Sequence, residues 1–208
     1  MKKICLVLLI AITSTVCGDE EKGETRLPLE GKNCLFVIAH RDFRDEELLI
    51  PKNMLEEAGA TITIASTDTT SAKGMLGATI KPDIFLKDAK IENYVAIILI
   101  GGIGSKDYWE SKVAHKLLKD ADEKDKVIGA ICLAPVTLAN AGLLKGKNAT
   151  CYETKDTKKI FEKSGVKYTK NSVEVDGRVI TANGPKAAKE FAKKIMGLLL
   201  SEDSPSES

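Results

Sequence analysis

Three short apolar runs govern what this chain can become: residues 34–40 (CLFVIAH), 94–100 (YVAIILI) and 127–131 (VIGAI). None alternates between apolar and polar, as a strand with one wet face would. A run of this kind is covered on both sides, and the architecture that covers several of them together is a parallel sheet with helices on each face. The intervening segments carry helical spacing. One runs from Asp45, a candidate cap, to Gly59, with Leu48, Met54, Leu55 and Ala58 facing inward. Another spans Glu110 to Ala121, with Val113, Leu117, Leu118 and Ala121 inward and His115 on the solvated side. A third spans about Pro135 to Ala141 and stops at Gly142.

The remaining segments complete the pattern. Thr61 to Ser66 reads as a strand, residues 69–90 as an irregular edge excursion with Pro82 in it, and Ala149 to Tyr152 as a short strand. Thr154 to Ser164 is helical, Val173 to Ile180 is a hairpin turning at Asp176-Gly177, and Gly184-Pro185 opens a last helix. That helix turns Ala188, Phe191, Ala192, Ile195 and Leu199 to the core. The expected fold is an α/β sandwich with a mostly parallel sheet and one late β-hairpin.

With 208 residues, 43% of them hydrophobic, the chain has material for one compact domain. Its 31 Lys and Arg against 30 Asp and Glu are dispersed, so the charge pattern excludes a nucleic-acid surface. Residues 1–17 read as an export signal: two lysines, an apolar run from Ile4 to Ile12 that is too short to span a bilayer, then small polar residues. Two readings of its end stand side by side. Cys17 matches the acylated cysteine of a bacterial lipoprotein, while Val16 before it fits ordinary cleavage near Gly18 better. The mature protein is therefore expected outside the cytoplasm, in the periplasm or held to a membrane only through lipid on Cys17. An acidic tether over 18–31, a domain over 32–200 and a disordered tail over 201–208 follow.

Without the leader three cysteines remain, Cys34, Cys132 and Cys151, and an odd count argues against a disulfide framework. Cys34 and Cys151 fall in or at the start of strands and read as buried, inert thiols. Cys132 ends a strand where a helix begins. Unpaired amides and the helix dipole there favour thiolate and lower the thiol pKa, and the Gly102 and Leu133 N–H groups form a candidate oxyanion hole.

Glu47 follows the first strand, and Pro51 four residues on leaves its carbonyl without an amide partner. A simple kink and a functional acid both fit. Ligands of parallel sheets gather beyond the strand C-termini, and Glu47, Gly101-Gly102 and Cys132 share that edge. The glycine turn at 101–104 does not make a dinucleotide fingerprint, and no His and Cys spacing makes a metal-ligand set. Asp107-Tyr108-Trp109 fits a pocket wall, or a cap with packed rings.

The motifs FRDEELLIP around Glu47, the IGG turn, AICLAP around Cys132 and VDGRVITANGP resemble the DJ-1/PfpI (ThiJ/PfpI) family over about residues 32–200. The resemblance implies a flavodoxin-like three-layer sandwich, a homodimer or higher homo-oligomer, a nucleophilic Cys132 on a strained strand-to-helix elbow, and Glu47 as the acid beside it. It implies no cofactor.

Two departures matter. Peptidase-like members carry histidine where this chain has Leu133, and members with glyoxalase or deglycase activity carry one where Tyr152 stands. Base assistance to Cys132 then falls to Glu47, with Tyr152 and His40 as accessory candidates. The implied functions are cysteine-dependent chemistry on a small reactive carbonyl, a non-catalytic protective role in which the thiol meets an oxidant, and, ranked last because of Leu133, a cysteine peptidase.

Overall fold

The computed structural model describes residues 27–201. The leader, most of the tether and all of the tail beyond Ser201 lie outside the described residues. The end of the expected tether is packed rather than solvated. Leu29 is fully buried, and its N–H donates to the Ala58 carbonyl at 2.7 Å.

The three governing runs form adjacent parallel strands, β1 (Asn33–Val37), β7 (Ala96–Leu99) and β8 (Val127–Ile131). With β3 (Thr61–Ser66), β6 (Ile84–Phe85) and the hairpin β11 (Val173–Asp176) and β12 (Val179–Ala182), they make a seven-stranded sheet in the order β11-β12-β8-β7-β1-β3-β6. Only the β11–β12 pair is antiparallel. Its turn is at Gly177, where φ is +62°.

The lack of alternation along the strands has a direct physical source. Leu35 and Val37 of β1 enter one hydrophobic core, and Cys34 and Phe36 enter a second on the opposite face. The first core is closed by α2 (Lys112–Glu123), α3 (Pro135–Asn140) and α4 (Lys155–Lys163), the second by α1 (Asp45–Glu57) and α5 (Ala188–Ser201). In α5 the five residues expected inside are all buried. The result is a flavodoxin-like three-layer sandwich. Its five principal parallel strands have the doubly wound order: after β1 the sheet grows first toward β3 and then, from β7 onward, to the other side, which puts the topological switch point between β1 and β7.

Several local expectations are corrected. Asp45 does not cap α1: Arg44 holds the N-cap position without a side-chain bond to the helix amides, and Asp45 is buried. The Asp45 carboxylate instead accepts from the Leu76 and Ala78 amides at 2.8 and 2.7 Å. Pro51 leaves α1 unbroken. The α2 helix starts two residues late, because the Ser111 side chain accepts from the Ala114 amide and caps it there. Ala114 therefore takes the inward place, and Val113 is exposed.

His115 is half-buried rather than solvated, with Nε2 at 2.9 Å from the Trp109 carbonyl. The irregular excursion holds β4 (Ala72–Gly74) and β5 (Thr79–Ile80), which join β2 (Arg41–Phe43) in a small second sheet, and leads into β6. The predicted strand over 149–152 shrinks to β9 (Asn148–Ala149), which pairs with β10 (Lys167–Tyr168). Among the described residues no helix is long and apolar enough to cross a membrane.

Candidate active site

Cys132 follows the last residue of β8 with φ at +66°, in the left-handed region that non-glycine residues rarely enter. Two backbone bonds hold it there. Its N–H donates to the Ala182 carbonyl at 2.8 Å, and its carbonyl accepts from the Tyr152 amide at 2.7 Å. The Gly102 and Leu133 amides are directed at the sulfur. The helix beyond begins only at Pro135 and is six residues long, so Cys132 lies outside its first turn. Local amides rather than a helix dipole face the thiol.

Glu47 sits in the first turn of α1, fully buried, and among the described residues neither carboxyl oxygen has a partner in hydrogen-bond geometry. The polar groups that face it are the Cys132 thiol and the Gly101 amide. Burial pushes the carboxyl up to about 8, against the pull of Cys132 and Arg44, so it is mostly protonated at neutral pH. Burial, then the Glu47 charge, pushes the Cys132 thiol up to about 12, and the Gly102 and Leu133 amides offset only part of this.

The expectation of a depressed thiol pKa is thus corrected. The amides lie where predicted, but at 8% exposure desolvation outweighs them. The two groups titrate as a pair, in which ionising both is what the site resists.

The glycine turn after β7 determines how closely these groups approach. A side chain at Gly101 would place its Cβ 2.5 Å from both Cys132 Cβ and Glu47 Oε2. Gly102, at φ +96°, lies so close to the start of α1 that a Cβ there would meet the Asp42 carbonyl at 2.3 Å and the Arg44 amide at 2.5 Å. The Arg44 amide also donates to the Gly101 carbonyl at 3.0 Å, which ties the helix carrying Glu47 to the turn.

Above the pair opens a cleft of about 470 Å³, with Cys132, Glu47, Gly102 and Leu133 in its wall. Met75, Ile103 and Tyr152 form an exposed apolar rim, and Arg44 and Lys106 bring positive charge to it. Arg44 is engaged by Glu46 through two contacts, Nε–Oε2 at 2.8 Å and Nη2–Oε1 at 3.0 Å. A wider depression of about 560 Å³ adjoins this cleft, sharing Tyr152 and Pro185, but it includes neither Cys132 nor Glu47.

Of the expected residues, the fold brings together Cys132, Glu47, Gly102, Leu133 and Tyr152, the last half-exposed at the cleft mouth. His40 is not among them. Its Nε2 lies 3.5 Å from Thr70 Oγ1 and its Nδ1 is buried with no partner among the described residues, away from the cleft lining. Tyr108 is core, its hydroxyl donating to the Ile38 carbonyl, whereas Trp109 Nε1 donates to the Leu133 carbonyl at 3.0 Å and buttresses the elbow. Cys34 and Cys151 are buried, and burial pushes Cys151 up to about 11. Among the described residues no cluster of three or more His, Cys, Asp or Glu could hold a metal.

Sequence reasoning missed Arg44, Lys106 and Met75. Arg44 stands three residues before Glu47, at the N-cap of the same helix, a spacing that signals its place beside the acid, whereas Met75 comes to the cleft through tertiary contacts that no local spacing signals. Lys106 stands four residues beyond Gly102 on a short 3-10 turn at 103–108, so its proximity to the glycine turn is the one signal available.

Known proteins share the fold and the family motifs. The family model described as the DJ-1/PfpI family matches residues 32–198. An uncharacterized protein of Methanocaldococcus jannaschii is 39% identical over 198 residues, covering 94% of this chain and 96% of that protein. The glutathione-independent glyoxalase DJR-1.2 of Caenorhabditis elegans is 34% identical over 168 residues, 81% of this chain and 89% of that protein. Among solved structures, a ThiJ/PfpI domain protein from Brachyspira murdochii superposes with a TM-score of 0.78 at 30% identity, covering 82% of this chain and 99% of that one.

Proposed function

The chain belongs to the DJ-1/PfpI family, and on that premise we propose that Cys132 and Glu47 act without a cofactor on a small 2-oxoaldehyde, in glyoxalase-type chemistry. The observation that carries this reading is the juxtaposition of a left-handed cysteine and a buried, largely protonated glutamate across Gly101. The 34% identity to a glyoxalase supports it.

The steps balance without an external oxidant. The thiol gives its proton to the carboxylate form of Glu47 as sulfur adds to the aldehyde carbon, the π pair moves to oxygen, and that oxygen takes the proton back from Glu47, with the Gly102 and Leu133 amides as donors to the developing charge. Glu47 as carboxylate removes the hydrogen on that carbon and returns a proton to the neighbouring carbonyl carbon through an enediol. The aldehyde carbon is thereby oxidised to a thioester while the ketone is reduced to an alcohol. Water cleaves the thioester, giving a 2-hydroxy acid and the free thiol. A carboxyl near 8 can serve as both donor and acceptor in this sequence.

Methylglyoxal is the direct test, with lactate as product. Wild type should turn it over, and both Cys132→Ser and Glu47→Gln should lose at least about a hundredfold in kcat/KM, the usual scale for removing a nucleophile or its acid–base partner. Turnover that survives Cys132→Ser sinks the reading.

One observation favours a second reading: no histidine lines the cleft, so the thiol has no imidazole base. Without turnover, a mass gain of one or two oxygens at Cys132 after dilute peroxide supports a protective thiol instead, its oxidised anion held by the same two amides.

A further inference from the structure

We propose that Lys106 selects, for the reaction above, carbonyl substrates that carry a negatively charged group, a carboxylate or a phosphate, beyond the reacting carbonyl. The inference rests on that reading for its chemistry but on separate residues for its argument.

Of the two cations at the cleft, Arg44 is already matched by the two-point contact with Glu46. Lys106 has no ion-pair partner among the described residues, and its ammonium lies 5.3 Å from the centroid of the Trp109 ring. That ring is itself fixed, because Trp109 Nε1 donates to the carbonyl of Leu133, the residue after the nucleophile. Lys106 is thereby held in register with Cys132 through one aromatic support. The one carboxyl in the cleft wall, Glu47, is mostly protonated at neutral pH and does not cancel the lysine charge.

An unmatched ammonium on an otherwise apolar rim is an electrostatic mark for one end of a ligand. A neutral methyl group, as in methylglyoxal, leaves it unused. A terminal carboxylate or phosphate a few bonds from the carbonyl can reach it while the carbonyl sits over Cys132, in a cleft of about 470 Å³ with space for such an extension.

The test compares 4,5-dioxopentanoate, a 2-oxoaldehyde ending in a carboxylate, with its neutral methyl ester. Wild type should prefer the acid by about tenfold in kcat/KM, the scale of one charge-assisted contact. That preference should shrink with added salt. Lys106→Met, which keeps an unbranched apolar stem over Trp109, should bring the ratio near one, and Lys106→Arg should keep it.

A second readout does not depend on turnover: protection of Cys132 from iodoacetamide by 4-oxopentanoate, by dihydroxyacetone phosphate and by neutral methyl 4-oxopentanoate. Protection by either anion, lost in Lys106→Met, supports the proposal and shows which anion fits. Equal protection by the neutral ester, or a preference that survives Lys106→Met, overturns it. If no 2-oxoaldehyde is turned over, the catalytic reading fails, and the protection experiment still decides the role of Lys106.

Discussion

Replacing Gly101 by alanine should destabilise the protein by roughly 3 kcal/mol and separate the two reactive groups, a large effect for a single added methyl. The reason is steric rather than conformational. The new Cβ would lie 2.5 Å from Cys132 Cβ, 2.5 Å from Glu47 Oε2 and 2.6 Å from the Ile131 carbonyl. None of the three can retreat cheaply, because Cys132 is held by bonds to Ala182 and Tyr152, Ile131 is a buried residue of β8, and Glu47 is fully enclosed. Urea unfolding should show the loss, and the variant should lose methylglyoxal turnover even where it is still folded. Gly197→Ala provides the contrast. That glycine lies in α5 with open space where a Cβ would go, so the change should stabilise by about 0.5–1 kcal/mol. A Gly101→Ala protein as stable as wild type, with the site intact, would contradict the packing described for the elbow.

A gain of opposite sign is expected when Glu47 becomes glutamine. The buried carboxyl is raised from its ordinary 4.5 to about 8, so the folded protein keeps a proton that the unfolded chain releases between those values. Stability linked to this group is fully present below about 4.5 and is lost as pH rises through 8. Glutamine has no proton to lose. The variant should therefore resemble wild type at pH 4 and exceed it by on the order of 3 kcal/mol at pH 7, with the difference levelling off above pH 8. Denaturant titrations of both proteins across this range measure it directly, and a wild-type slope that persists in Glu47→Gln would show that another group carries the dependence. The variant should be more stable and lose turnover, because the same burial that costs stability is what keeps the carboxyl protonated at neutral pH.

Much of the architecture was legible because burial on two faces leaves a plain mark on sequence. The runs ending at Ile100 and Ile131 could not be half-wet strands, and the turn at Asp176-Gly177 announced its hairpin. In the site, Cys132, Glu47, Gly102 and Leu133 were legible from their places just after strand ends, and the motifs around Cys132 and Glu47 reinforced them. The left-handed backbone of Cys132 has no local sign, since neither it nor its isoleucine and leucine neighbours favour positive φ; the bonds to Ala182 and Tyr152 impose it from distant parts of the chain. The thiol pKa was misjudged for a related reason. Sequence shows which amides lie nearby, but desolvation depends on everything packed around them. Asp45 illustrates the same limit: its place before a helical run looks like a cap, and only the fold reveals that it holds the 76–78 turn.

The two bonds that fix Cys132 also bear on how substrate affinity is used. Because β12 and the segment after β9 clamp the residue in the empty protein, the sulfur is aimed before any substrate arrives. A ligand has little to rearrange at the bottom of the cleft, so the energy of its contacts at the mouth remains available for discriminating among visitors.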